Sequence, residues 1–176
     1  MNGVPGTLGG ALIMNAGAWG GEISENLIHV ELINSKNEIK NILKKDLNFS
    51  YRKSSFQKDD ILLSAKFDLK KADENIIHEN FVKAQSGRRN TQPLNQRSAG
   101  SLFKNPENNS AGQRLDEAGL KGFSIGDAMI SDHHANFFVN KKNASFDDMN
   151  KLITYVKDQV KEKYNINLEL EVEIIN

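Results

Sequence analysis

The chain contains no cysteine. Disulfides, thiolate nucleophiles and cysteine metal sites are excluded together, and the composition fits a reducing compartment. An excess of either charge is also missing, since 23 Lys and Arg balance 23 Asp and Glu. Balanced charge provides no general attraction for nucleic acid or for an anionic membrane. No apolar run approaches the roughly 20 residues of a membrane-spanning helix. The first residues lack the basic start and continuous apolar stretch of a signal peptide. No internal repeat or low-complexity tail is present. The expectation is a soluble cytoplasmic protein with neither nucleic acid nor membrane as partner.

What is present suits a globular chain of one domain or one and a half: 176 residues, 38% apolar and 26% charged. The periodicities predict an α+β fold. "LGGALIMNA" (8–16) reads as a short helix with an apolar face. "LIHVELIN" (27–34) alternates apolar and polar residues, the mark of a half-buried strand. Lys36-Asn37 reads as a hairpin turn and "EIKNIL" (38–43) as the returning strand. Residues 44–56 look irregular after a short helical turn, and "DILLSAKFDLKK" (60–71) is a period-two strand. A polar helix is expected over 72–93, with Ile76, Ile77, Phe81 and Ala84 at helical spacing and Pro93 as its stop. A domain junction is placed near it. Residues 94–112 are loop-rich, with an extended piece at Ser101–Lys104. Ser110 caps a helix that Gly119 closes. "FSIGDAMIS" and "ANFFVN" read as short strands. Residues 145–165 form the clearest helix: Ser145 caps it, Asp147 and Asp148 suit its first turn, and Met149, Leu152, Ile153, Val156 and Val160 make the stripe. "INLELEVEIIN" (166–176) reads as a final strand.

Several stretches carry chemistry. The opening loop, "GVPGTLGGA", is glycine-rich, and such a loop lets a ligand approach the backbone. It is no Walker A loop, because no Gly-Lys-Ser/Thr follows, and no dinucleotide fingerprint, because no strand precedes it. A tight turn packing a helix on a sheet explains it equally well. Arg52 in "YRKSSF" offers a bidentate cation for carboxylate or phosphate; the bland reading is a surface arginine. Ser101 in "SAGSLFKNP" has no acid–base pair beside it and no G-x-S-x-G elbow, so proton donation suits it better than acyl transfer. Two adjacent histidines, His133 and His134, suggest metal, but on a strand they would face opposite ways, and the ligand count fails. No metal site is expected. Glu169, Glu171 and Glu173 share one face of the expected last strand, where solvated acids are the default.

Taken in order, G-V-P-G-T-L-G-G-A, M-N-A-G-A-W-G-G-E, Y-R-K-S-S-F, S-A-G-S-L-F-K-N-P, A-G-L-K-G, H-A-N-F-F-V-N and L-E-L-E-V closely resemble the MurB family, the UDP-N-acetylenolpyruvoylglucosamine reductases of bacterial peptidoglycan synthesis. The resemblance runs from Gly3 to Ile175, and the short span between Arg52 and Ser101 is similar to the compact subtype. It implies residues 1–75 as the C-terminal part of an FAD-binding domain and 76–176 as an α+β substrate-binding domain. It implies FAD as cofactor, NADPH as hydride donor and a UDP-sugar as substrate. Arg52, Ser101 and Glu171 are the implied catalytic residues: cation near carboxylate and flavin, proton donor, and carboxylate-polarising acid. Gly3, Val4, Pro5, Gly6, Thr7, Gly9, Gly10 and Arg52 are the implied flavin contacts, and Lys104, Asn105 and His134 the implied substrate contacts. Family members carry a substantial segment ahead of the opening loop. The expectation is therefore a C-terminal portion that binds FAD poorly and does not turn over alone. Self-association, or complementation by that segment, is expected with it. A nucleotide-sugar binding module without catalysis is the alternative.

Overall fold

A computed structural model describes residues 3–175. The chain divides into two compact units, Met1–Gln85 and Ser86–Asn176.

The first unit opens with α1 (Leu8–Ile13), capped by the Thr7 hydroxyl, which accepts the Gly10 N–H. Two residues of β1 (Gly17–Ala18) pair with β2 (Gly21–Glu22). The strand β3 (Leu27–Ile33) lies between β4 (Ile39–Leu43) and β7 (Ile61–Phe67) in an antiparallel sheet of order β4-β3-β7. A 3₁₀ turn (Lys44–Asp46) and a small hairpin of β5 (Phe49–Ser50) and β6 (Lys53–Ser54) fill the connection between β4 and β7. The register of β3 against β7 shifts between Leu27 and His29. Such a bulge re-phases the alternation, so Leu27 and Val30, three apart, are both buried. With Leu12 and Leu47 they form the core of this unit, walled by Ile23, Phe49, Phe56 and Leu62 among others.

The expected helix over 72–93 is α2 (Glu74–Thr91). It buries none of its residues, and Ile76, Ile77 and Phe81 are all exposed.

The second unit is built on an antiparallel sheet of order β8-β11-β10-β9, from β8 (Arg97–Ser101), β9 (Ser124–Ile125), β10 (Ala128–Ile130) and β11 (Phe137–Asn140). Two helices add to its core: α3 (Ala111–Glu117), capped by Ser110, and α4 (Phe146–Tyr164). Leu152, Ile153, Val156 and Val160 of α4 are buried with Phe103, Leu115, Ile130 and Phe138, and Phe103 meets Phe138 edge to face at 5.8 Å. Ser145 and Asp148 complete a reciprocal capping box at the start of α4, which satisfies two otherwise orphaned N–H groups. Gly126, in the β9–β10 turn, has φ +55, and a Cβ there would lie 2.6 Å from the Asp148 carboxylate.

Three expectations are corrected. The extended piece expected at Ser101–Lys104 begins earlier, as β8, and leaves β11 after Ser101. The segment 44–56, read as irregular, contains the β5–β6 hairpin. The last strand does not form over the described residues of 166–176, and Asn176 lies outside them. Leu170 instead makes one isolated antiparallel bridge with Phe103. Its partner segment is only three residues long, because Pro106 follows closely and offers no N–H to a ladder.

Gly126→Ala should cost about 1–2 kcal/mol from its left-handed backbone alone. It should also push Asp148 out of the capping box. Urea melts of Gly126→Ala, Asp148→Ala and the double variant test this. Part of the Gly126→Ala loss should vanish once Asp148 is gone, whereas strictly additive losses would refute the clash.

Candidate active site

In the first unit the opening loop borders a cavity of about 340 Å³, lined by Val4, Pro5, Gly6, Thr7, Leu8, Gly10 and Met14 among others. Gly6 has φ +130, and no atom lies within 4 Å of where its Cβ would be. A side chain there would fill space that a ligand can use. The lining is mainly apolar and the Gly10 N–H is already held by Thr7. The cavity therefore suits a flat ring better than a phosphate. Gly9 differs from its neighbours in facing Leu62, 3.9 Å from its would-be Cβ, which makes it a packing position under α1. These residues fit part of a flavin.

Arg52 does not line that cavity. It lines a second one of about 510 Å³, with Tyr51, Glu22, Glu25 and the β1–β2 turn from Gly17 to Gly21. Its guanidinium stands 4.8 Å from the centre of the Tyr51 ring, and Nη2 donates to the Gly17 carbonyl at 3.3 Å. Trp19 is exposed at the tip of the β1–β2 turn.

The second unit gathers the remaining candidates around one short segment. Ser101 ends β8 opposite Phe137. The chain then changes partner: the Leu102 N–H goes to the Asn136 carbonyl, and the Lys104 N–H to the Glu169 carbonyl at 2.9 Å. The Glu171 N–H donates to the Leu102 carbonyl at 2.8 Å, which sets half-buried Glu171 opposite the residue after Ser101. Lys104 Nζ reaches Glu169 at 3.4 Å. Asn105 Oδ1 accepts the Ala111 N–H at the start of α3. Glu173, on the expected face with Glu169 and Glu171, is exposed.

His133 and His134 lie in the bend before β11 rather than on a strand. His134 packs edge to face on Phe137, 4.8 Å between ring centres. Its Nδ1 accepts the Asn136 N–H at 3.1 Å. Burial holds its pKa below the ordinary histidine value, aided by the charges of Lys121 and His133. The ring is therefore a neutral acceptor at pH 7.

Two buried asparagines were not among the sequence candidates. Asn136 grips Phe103 by both backbone groups, with Phe103 N–H to Oδ1 at 3.0 Å and Nδ2 to the Phe103 carbonyl at 2.8 Å. Asn15 is fully buried beside β2 and β5. Their only signal in sequence is an amide within an otherwise apolar or small-residue stretch.

Residues 92–175 match the family model of the UDP-N-acetylenolpyruvoylglucosamine reductase C-terminal domain. A UDP-N-acetylenolpyruvoylglucosamine reductase from Fervidobacterium nodosum is 46% identical over 98% of this chain, a match covering 56% of that protein. One from Bacillus pumilus is 42% identical over 98% of this chain and 58% of its own length. The crystal structure of UDP-N-acetylenolpyruvylglucosamine reductase (MurB) from Thermus caldophilus matches with a TM-score of 0.85 at 38% identity, over 98% of this chain and 61% of that one. The chain spans little more than half the length of the curated relatives it matches.

His134 should titrate below 6.5 in the folded protein, measured by its ring proton shifts in NMR. Above the unfolded value of about 6.5 both states are neutral there, and stability is full. As pH falls below it the unfolded chain binds the proton first, so stability drops until the folded ring also protonates. His134→Gln should flatten that stretch of the pH–stability curve, and an unchanged curve would refute the assignment.

Proposed function

The chain belongs to the UDP-N-acetylenolpyruvoylglucosamine reductase (MurB) family, and on that premise we propose that it serves the NADPH-dependent reduction of an enolpyruvyl UDP-sugar to UDP-N-acetylmuramate, a cytoplasmic step of peptidoglycan synthesis. The observation that carries this reading is the register around Phe103 and Leu170. Within the matched region, Ser101, Lys104 and Asn105 lie on one short segment whose backbone bonds to the segment bearing Glu169 and Glu171.

When bound, FAD would supply the hydride, taken from NADPH, to the enolpyruvyl double bond. Residues Gly3, Val4, Pro5, Gly6, Thr7, Gly9 and Gly10 are assigned to hold it, with Gly9 acting through packing, Gly3 in the turn ahead of the cavity, and the others at the cavity. Reduction of the double bond leaves one carbon needing a proton and a carboxylate needing its growing charge stabilised. Ser101 is assigned the proton transfer. A hydroxyl is a weak acid in water, yet sufficient toward a carbanion-like centre. Its backbone is held on β8 opposite Phe137, so the Oγ has a fixed origin.

Arg52 is assigned the carboxylate, as a preorganised cation. Glu171 is assigned the role of carboxylate-polarising acid that the family resemblance implies. Lys104, Asn105 and His134 are assigned to the UDP-sugar. The Lys104–Glu169 pair is exposed on the Glu169 side, and such pairs contribute only about 0–1 kcal/mol. A diphosphate can therefore take Lys104 over at little cost. His134, neutral at pH 7, serves as a hydrogen-bonding ring rather than a cation.

Ser101→Ala separates the two halves of the reaction. With FAD supplied, reduction by NADPH should proceed at the unmodified rate. Reoxidation by the enolpyruvyl substrate should slow by about 10²–10⁴, the usual weight of a positioned proton donor. Undiminished reoxidation in stopped-flow absorbance would sink the Ser101 role. Calorimetric binding of UDP-N-acetylglucosamine without any flavin chemistry would instead favour a nucleotide-sugar binding module.

A further inference from the structure

Asn15 is fully buried, and its backbone is left-handed, at φ +45. Its Nδ2 donates to Glu22 Oε2 at 2.6 Å and to the Ser50 carbonyl at 3.1 Å. Both partners are acceptors, which fixes the orientation of the amide. Its Oδ1 is buried without a hydrogen-bond partner among the described residues. Leaving such an acceptor unmade costs about 1–3 kcal/mol, so an apolar residue would serve packing better. The bonds made by Nδ2 are what the position gains.

Those bonds lead to Arg52. Ser50 is the last residue of β5, and the two-residue turn Tyr51–Arg52 follows it before Lys53 pairs back. Arg52 has φ +53, a conformation that disfavours a side-chain-bearing residue by roughly 1–2 kcal/mol. A strained turn on two-residue strands needs holding from outside. Three bonds do this in register. Ile13 accepts from the Ser54 hydroxyl, Asn15 donates to Ser50, and Gly17 accepts from Arg52. Alternate residues after α1 thus clasp the hairpin at its two arms and its tip. Of the three side chains involved, only the Asn15 amide is fully buried. Its charge-assisted bond to Glu22 also ties the clasp to β2.

We propose that Asn15 is a positioning residue for Arg52, setting the direction of the guanidinium by holding the Ser50 carbonyl. The assignment to catalysis rests on the role given to Arg52 above, whereas the positioning itself does not.

Hydrogen exchange on Asn15→Ala and on Asn15→Asp, which keeps the shape but loses the donor, tests the positioning directly. Residues 49–55, including the Ser55 N–H bonded to the Asn48 carbonyl, should exchange at least about tenfold faster, while β3 and β7 keep their protection. With FAD, NADPH and the enolpyruvyl substrate, Asn15→Ala should lower kcat on the order of 10²-fold, as a misplaced group does, with KM little changed. That loss should disappear in an Arg52→Ala background, because the two residues act as one unit. Unchanged exchange over 49–55, additive losses, or unfolding of both Asn15 variants overturns the proposal. If the unmodified chain shows no turnover, the exchange result alone decides the positioning.

Discussion

A backbone segment that changes partners in mid-course must be held by something other than a ladder, and at Phe103 that holder is Asn136. A side-chain amide has the same donor and acceptor as a peptide group. Placed against Phe103 it stands in for one residue of a strand that is not there. Burial of both residues strengthens the pair, since water cannot compete for either bond. Upstream of the clasp, Ser101 belongs to the sheet through Phe137. Downstream, Lys104 belongs to the tail through Glu169, and Glu171 returns a bond to Leu102. Asn105 then starts α3 by accepting the Ala111 N–H. Four proposed site residues are thus spaced by a crossing that Asn136 makes possible, and His134, two residues before it, is held by the Asn136 N–H.

The first unit meets the same problem with the same chemistry. Its sheet has strands of five to seven residues, and its proposed site lies on pieces too short to hold themselves. The β1–β2 and β5–β6 hairpins each have two residues per strand. Isolated hairpins of that size have little stability in water. Side-chain bonds from Asn15, Ser54 and Arg52 to backbone carbonyls supply the missing restraint. Loops carry the chemistry and rigid elements carry the loops, with a few buried or half-buried polar groups joining the two.

This division also explains what could be read from the sequence. β3 and β7 were legible from their alternation, and β4 from the Lys36-Asn37 turn that precedes it. Ser110 and Ser145 announced α3 and α4, since an N-cap needs a short polar side chain at one place. The helix α1 was legible from its apolar face, whereas its Thr7 cap was not read. The small hairpins were not, because two residues carry no period. The last strand was misread for the opposite reason. "LELEVEI" has the alternation of a strand, but its partner segment is too short to complete a ladder. Asn15 and Asn136 were invisible as structural groups because their partners are 35 and 33 residues away. The order of the motifs pointed to the family, which no single motif did alone.

Charge supplies the last constraint. The chain as a whole is neutral, so long-range attraction adds little to the proposed recognition of an anionic nucleotide sugar. Recognition must then occur at contact range, between particular groups. The second cavity combines Arg52 with Glu22 and Glu25, and Lys104 stands beside Glu169. Acidic neighbours of this kind lower the attraction for stray anions. On the proposed reading, Glu169 gives up Lys104 only to a ligand that offers its own diphosphate together with further contacts. Exposed pairs cost little to exchange, so this arrangement sacrifices little affinity for the correct ligand. It excludes simple anions that bring charge without the rest of the molecule.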